Sequence, residues 1–204
     1  MSGRIVVLIS GSGSNMAALV SAARRGEAGG DVVAVVADRD CAGLAIAKDH
    51  GIETALVRPR DFPDRDAWSD ALRMEVARFE PGLVVSAGFM RILAPVFVDA
   101  FADRLINLHP SLLPAFPGAH AVRDALAAGV DATGTTVHFV DNEVDHGPII
   151  FQREIPVQPG DDEATLHERI KVVEHELLPL VCKLFLTGKI RLHGGTVEVE
   201  SDHE

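Results

Sequence analysis

Arg4-Ile5-Val6-Val7-Leu8-Ile9-Ser10-Gly11-Ser12-Gly13-Ser14-Asn15 is the stretch on which the fold turns. Ile5 to Ile9 are apolar without interruption, over the length of a strand. A strand with no wet face is covered on both sides, the situation of parallel sheets flanked by helices. The Gly/Ser turn that follows leads into Asn15–Arg25, where Met16, Leu19, Val20 and Ala23 share one helical face. A buried strand, a glycine turn and an amphipathic helix make the opening unit of an α/β domain.

The same alternation continues downstream. Strands are expected at Asp31–Ala37, Glu53–Val57, Leu83–Ser86 and Leu105–Asn107, and helices at Ala42–His50, Asp64–Phe79, Pro95–Phe101 and Ala121–Ala128. Thr133–Val140 and Pro148–Val157 read as two strands with no helix-length segment between them, so they pair antiparallel and the sheet is mixed. Glu163–Thr187 is the longest helix, with Leu166, Ile170, Val173, Leu177, Leu180 and Leu184 as its apolar stripe; Pro179 inside it predicts a kink or a break. Lys189–Leu192 is expected to add an edge strand, and residues 195–204 read as an acidic, disordered tail. The fold class is α/β: one domain over residues 1–194, with a doubly wound, mostly parallel, Rossmann-like sheet and helices on both faces.

At 204 residues and 47% hydrophobic, the chain can bury one good core. No apolar run is long enough to span a bilayer, and Ile5–Ile9 reads as a first strand rather than a signal peptide. Cys41 and Cys182 have neither metal-type nor redox-type spacing, so a reducing cytoplasm is the simplest setting. None of the nine histidines stands in a metal-binding spacing either, and no metal is expected. A net charge of −11 speaks against a nucleic-acid surface. It also demands that any site for an anion be locally positive; Arg65, Arg91, Lys171 and a helix N-terminus are the candidate sources.

Two further stretches carry chemistry. Residues 104–118, Arg-Leu-Ile-Asn-Leu-His-Pro-Ser-Leu-Leu-Pro-Ala-Phe-Pro-Gly, begin as a strand and end in a loop stiffened by three prolines. Asn107 and His109, two apart on extended backbone, point the same way. The tight turn makes Leu113-Pro114 a candidate cis peptide. Residues 133–148, Thr-Gly-Thr-Thr-Val-His-Phe-Val-Asp-Asn-Glu-Val-Asp-His-Gly-Pro, are a strand followed by an acidic turn, with Thr136 and His138 on one face. Gly13, Ser14 and Asn15 offer an anion site at the start of the first helix. Residues alone leave that anion open between a monophosphate and a dinucleotide. The third glycine of the dinucleotide pattern is Met16 here, although Asp38 ends the second strand where a ribose-binding acid would sit.

Asn107-Leu108-His109-Pro110-Ser111-Leu112-Leu113-Pro114 and Asp145-x-Gly147-Pro148 resemble the formyltransferases that use 10-formyltetrahydrofolate. So do Ser10-Gly11-Ser12-Gly13-Ser14-Asn15 and Ala87-Gly88-Phe89-Met90-Arg91-Ile92-Leu93, and the likeness runs from Ile5 to about Leu192. Within that family it is similar to the branch that formylates the amine of phosphoribosylglycinamide in purine synthesis. The resemblance implies catalytic roles for Asn107, His109 and Asp145; the shared strand face of Thr136 and His138 leaves them open between support for that site and simple strand packing. It implies that Gly13, Ser14, Asn15, Lys171 and Glu174 hold the phosphoribosyl substrate. Arg65, Met90, Arg91, Ile92, Leu93, Asn107, Val140 and Val144 would line the site of the folate, a co-substrate rather than a resident group. Val122 stands where relatives can carry a second histidine. Family members that pass formyl to water or to initiator tRNA are expected to carry an additional domain. Small-molecule substrates are the only partners implied, and a homodimer stays open.

Overall fold

The computed structural model describes residues 3–200. The elements in chain order are β1 (Arg4–Ile9), α1 (Ser14–Arg24), β2 (Asp31–Ala37), α2 (Ala42–Asp49), β3 (Glu53–Leu56), α3 (Arg65–Ala77), β4 (Leu83–Ser86) and α4 (Pro95–Ala100). They continue with β5 (Leu105–His109), α5 (Ala121–Ala128), β6 (Ala132–Phe139), β7 (Ile149–Pro156), α6 (Glu163–Leu186), β8 (Ile190–His193) and β9 (Thr196–Val199). Seven strands form one sheet in the order β3-β2-β1-β4-β5-β6-β7. Pairing is parallel from β3 to β5 and antiparallel from β5 to β7, the mixed sheet expected.

The uninterrupted apolar run of β1 is explained by its two covered faces. Ile5, Val7 and Ile9 join the core under α1, α2 and α6, whereas Val6 and Leu8 join the core containing Trp68 and Leu72 of α3 and Phe97 of α4. Period-two alternation is present in the side-chain directions, but both directions lead into protein. Asp64 caps α3 by accepting the Ala67 N–H at 2.8 Å, and Asp162 with Thr165 forms a capping box at the start of α6.

Three details differ from the sequence expectation. Of the kink or break expected at Pro179, the break does not occur: α6 continues through it, with that proline buried. Its buried face also drifts: Leu177, Leu178, Val181, Cys182 and Phe185 are inside, while Leu180 is exposed. A strict alternation of three and four residues follows a 3.5-residue period, and a straight helix of 3.6 rotates away from it over several turns. Finally, residues 190–193 do not extend the main sheet. They pair with Thr196–Val199 in a separate hairpin, so a strand occupies part of the stretch read as a frayed tail. Gly194 and Gly195, both at positive φ, form the turn between these strands. The rest of that expected tail, residues 201–204, lies outside the described residues. Among the described residues no helix is long and apolar enough to cross a membrane.

Strand order reverses between β1 and β4, and the loops at the carboxyl ends of β1, β4 and β5 gather there. Open parallel sheets place their ligand crevices at such a point. The Ser10 N–H donates to the Gly88 carbonyl at 3.1 Å and ties the first of these loops to the second.

Candidate active site

Asn107 and His109 leave the end of β5 on one face, as their spacing demands. The strand extends two residues further than expected because β6 pairs with it to the end: Asn107 lies opposite His138 and His109 opposite Thr136. Directly opposed residues in an antiparallel ladder project to the same side. Four polar side chains from two strands are therefore set on one surface.

Asp145 arrives from the acidic turn after β6. Its Oδ1 lies 3.4 Å from Asn107 Nδ2 and its Oδ2 lies 3.4 Å from His109 Nδ1. The Gly118 N–H donates to Oδ2 at 2.7 Å, and His138 Nε2 stands 3.7 Å from Oδ1. Asp145 adopts φ 51°, in the left-handed region that Asp tolerates better than most residues. Burial raises the pKa of its carboxyl. The His138 side chain, the Gly118 N–H and the His109 imidazole lower it by more, and the net position is below the usual carboxylate range.

Hydrogen-bond partners fix the rings. His138 Nδ1 donates to the Phe139 carbonyl at 2.8 Å; its Nε2, 3.2 Å from Asn107 Nδ2, accepts from that amide when the ring is neutral and turns a proton toward Asp145 when the ring is charged. His109 Nε2 donates to the Phe116 carbonyl at 2.9 Å, so any proton that moves on this ring moves at Nδ1, beside Asp145. Thr136 acts one layer back. Its hydroxyl donates to the Ser111 carbonyl at 2.7 Å and accepts from the Leu113 N–H at 3.1 Å, pinning the proline loop. The Leu113-Pro114 bond in that loop is cis.

Asn107, His109, His138 and Asp145 border a cavity of about 400 Å³, a size suited to a small ligand. Met90, Arg91, Ile92 and Leu93 form one wall, and Val140 and Val144 stand on the other. Met90, Ile92 and Val144 are 60%, 58% and 51% exposed, apolar surface that an apolar ring system would cover. Arg91 reaches the cavity but also donates from Nε to Asp38 at 2.6 Å. Arg65 is outside the lining; it is exposed at the start of α3, 3.9 Å from Asp66.

The first loop and α6 meet behind β6, away from this cavity. Asn15 Nδ2 donates to Glu174 Oε2 at 2.8 Å, and Thr135 Oγ1 lies 3.3 Å from Glu174 Oε1 and 3.2 Å from the His109 carbonyl. Glu174 is 3% exposed, and burial raises its carboxyl pKa despite the donors Asn15 and Thr135. Gly13 lies in the left-handed region with Gly43 so close that a Cβ would meet it at 2.7 Å. Lys171 is paired with Glu168 at 2.6 Å. Gly13, Ser14, Asn15, Lys171 and Glu174 thus do not line the cavity; Thr135 connects their cluster to His109. Thr135, Gly118 and Phe116 were not singled out from sequence. Thr135 carried a signal, as the polar neighbour of Thr136 on the other strand face, whereas the other two act through backbone atoms that no side-chain pattern reveals.

Two sequence alternatives lose their footing. Asp38 is enclosed by Arg39 and Arg91 and offers nothing to a ribose. Val122 packs with Ile155, Leu166 and Ile170 in an apolar cluster, away from the cavity rim. Among the described residues no group of three or more His, Cys, Asp or Glu is placed to hold a metal ion.

A family model described as formyl transferase matches residues 3–182. The chain is 51% identical over 193 residues to a phosphoribosylglycinamide formyltransferase of Mycobacterium tuberculosis (strain CDC 1551 / Oshkosh), covering 95% of this chain and 89% of that protein. It is 44% identical over 190 residues to the phosphoribosylglycinamide formyltransferase of Escherichia coli (strain K12), covering 93% and 90% respectively. A crystal structure of glycinamide ribonucleotide transformylase 1 from Symbiobacterium toebii has a TM-score of 0.94 and 42% identity, covering 97% of this chain and 94% of that one. With its family model matching most of the chain, the protein belongs to the formyl transferase family.

Proposed function

We propose that the protein transfers the formyl group of 10-formyltetrahydrofolate to the amine of phosphoribosylglycinamide in purine synthesis. The observation that carries this reading is the meeting of Asn107, His109 and Asp145 at the wall of a partly apolar cavity. The folate ring system lies between the 90–93 wall and the 140–144 wall. The phosphate lies at the first loop, where backbone amides and the start of α1 favour an anion.

In the reaction the amine nitrogen attacks the formyl carbon, and the carbonyl electron pair moves onto oxygen. Both protons of the Asn107 amide point at His138 and Asp145, the latter contact being long at 3.4 Å. The developing oxyanion takes over that long contact and gains a donor that was already oriented. The amine proton passes to the His109–Asp145 pair through Nδ1. It is then delivered to the folate nitrogen as the carbon–nitrogen bond to the folate breaks. An ionised Asp145 is what makes a proton on Nδ1 of His109 favourable while the intermediate exists.

Glu174, held by Asn15 and Thr135 beside the first loop, contacts the acceptor on its phosphoribosyl side rather than at the reacting amine. No metal is assigned a part. The cytoplasm is the setting proposed with this activity, and Cys41 and Cys182 are both free thiols.

The test is direct. Purified protein supplied with 10-formyltetrahydrofolate and phosphoribosylglycinamide is expected to release tetrahydrofolate in equal measure with formylated acceptor. His109→Ala is expected to lower turnover roughly a hundredfold or more, the scale of a general acid. Formate release independent of the acceptor would make the protein a hydrolase, and near-normal turnover of the variant would remove His109 from the chemistry.

A further inference from the structure

Asp38 follows β2 with a side chain entirely removed from solvent, and no step of formyl transfer uses it. Its Oδ2 accepts from Nε and Nη2 of Arg39 at 3.1 and 3.0 Å and from Nε of Arg91 at 2.6 Å. Ser10 is a close neighbour that helps keep the carboxyl ionised. Its hydroxyl accepts the Met90 N–H at 2.8 Å. Of these two consecutive residues of the cavity wall, the buried carboxylate holds Arg91 through its side chain, while Ser10 holds Met90 through its backbone. Burial works against the charge on Asp38, yet Arg39, Ser10 and Arg91 outweigh it and hold the carboxyl below its usual range.

The consequence falls on Arg91. Its Nε is committed to Asp38, while among the described residues its two terminal nitrogens have no hydrogen-bond partner. A guanidinium anchored along one edge presents its other donors in a fixed direction, whereas an unanchored one must be immobilised by its ligand at a cost in entropy. Arg39 and Arg91 also place two positive charges against one negative charge, leaving a local excess of cation on a chain whose net charge is −11.

We propose that Asp38 is a positioning residue that aims Arg91 at the carboxylates of the glutamate tail of the folate co-substrate. This rests on the folate use proposed above. The ligand discrimination it creates is specific: a folate with its glutamate is favoured over the same ring system without it, and the ring site itself is untouched.

Calorimetry with folic acid and with pteroic acid, which lacks the glutamate, reads that discrimination on the full chain. Asp38→Asn keeps the shape and removes the charge. It is expected to weaken folic acid by about tenfold, the scale of one charge-assisted hydrogen bond, and to leave pteroic acid unchanged. Arg91→Ala should do the same, and the double variant should be no weaker than Arg91→Ala alone, because the two residues act as one unit. Arg91→Lys keeps the charge without the anchored fork and should resemble Arg91→Ala; being exposed, that position serves the test even where Asp38→Asn does not fold. Equal weakening of both ligands by Asp38→Asn, additive effects in the double variant, or full folic acid affinity in Arg91→Lys would overturn the proposal while leaving formyl transfer intact. A wild-type protein that binds neither ligand would overturn the folate reading itself.

Discussion

Asp145 and Glu174 are two carboxylates on opposite sides of β6, and their surroundings push them in opposite directions. Asp145 faces two imidazoles, a backbone N–H and an amide, and its carboxyl is held below the usual range. Glu174 is the more deeply buried, has two uncharged donors, and is pushed above that range. Depth alone does not set the charge of a buried acid; the number and charge of the donors that replace water do. A site that needs one firm anion and one carboxyl able to take up a proton can be made from two ordinary residues in this way.

The largest effect expected on that contrast comes from Asp145→Asn. The amide can neither stabilise a proton on His109 nor keep the orientation that an anion gives, and turnover is expected to fall roughly a thousandfold in a steady-state formyl-transfer assay. A loss of less than tenfold would show that the charge is not what matters at that position. Next comes Glu174→Gln, which retains hydrogen-bonding capacity and removes the titrating group. KM for the phosphoribosylglycinamide is expected to rise by about tenfold with little change in turnover at saturation, the signature of a binding contact. A fall in turnover with unchanged KM would instead make Glu174 a participant in the chemistry.

Stability should separate the two acids by sign. A carboxyl whose folded pKa is depressed contributes stability that is present above its unfolded pKa and lost as pH falls through the folded value. The melting temperature gap between wild type and Asp145→Asn should therefore shrink as pH is lowered below about 4. A carboxyl whose folded pKa is raised makes folding less favourable as pH rises through the window above its unfolded value. Glu174→Gln should accordingly gain on the wild type as pH rises above the ordinary carboxylate value. Parallel slopes in the two variants would break the contrast. The smallest effect is expected of Thr135→Val, which removes the hydroxyl between Glu174 and the His109 carbonyl and should cost about 1 kcal/mol in denaturant unfolding.

Much of the fold was legible because it follows from local pattern. The continuous apolar run of β1 announced two covered faces, and the missing helix between β6 and β7 announced antiparallel pairing. Asn107 and His109 were legible as a pair because spacing on a strand fixes side-chain direction. Asp145 was not, since nothing local says that a turn 36 residues after His109 folds back onto it; only the family resemblance tied them together. The Gly194-Gly195 hairpin was overlooked although its signal was present, two glycines between Ile190–His193 and the alternating Thr196–Val199. Asp38 misled for a physical reason. An acid at the end of a second strand can serve a ribose, but whether it is free depends on Arg91, which comes from a loop 53 residues away.

The most direct test is a carboxyl-carbon NMR titration of the wild-type protein, with the two signals assigned from Asp145→Asn and Glu174→Gln. Asp145 is expected to titrate below the ordinary carboxylate value of about 4 and Glu174 above it. Two acids that titrate together, or in the reverse order, would contradict the division of charge on which the proposed chemistry stands.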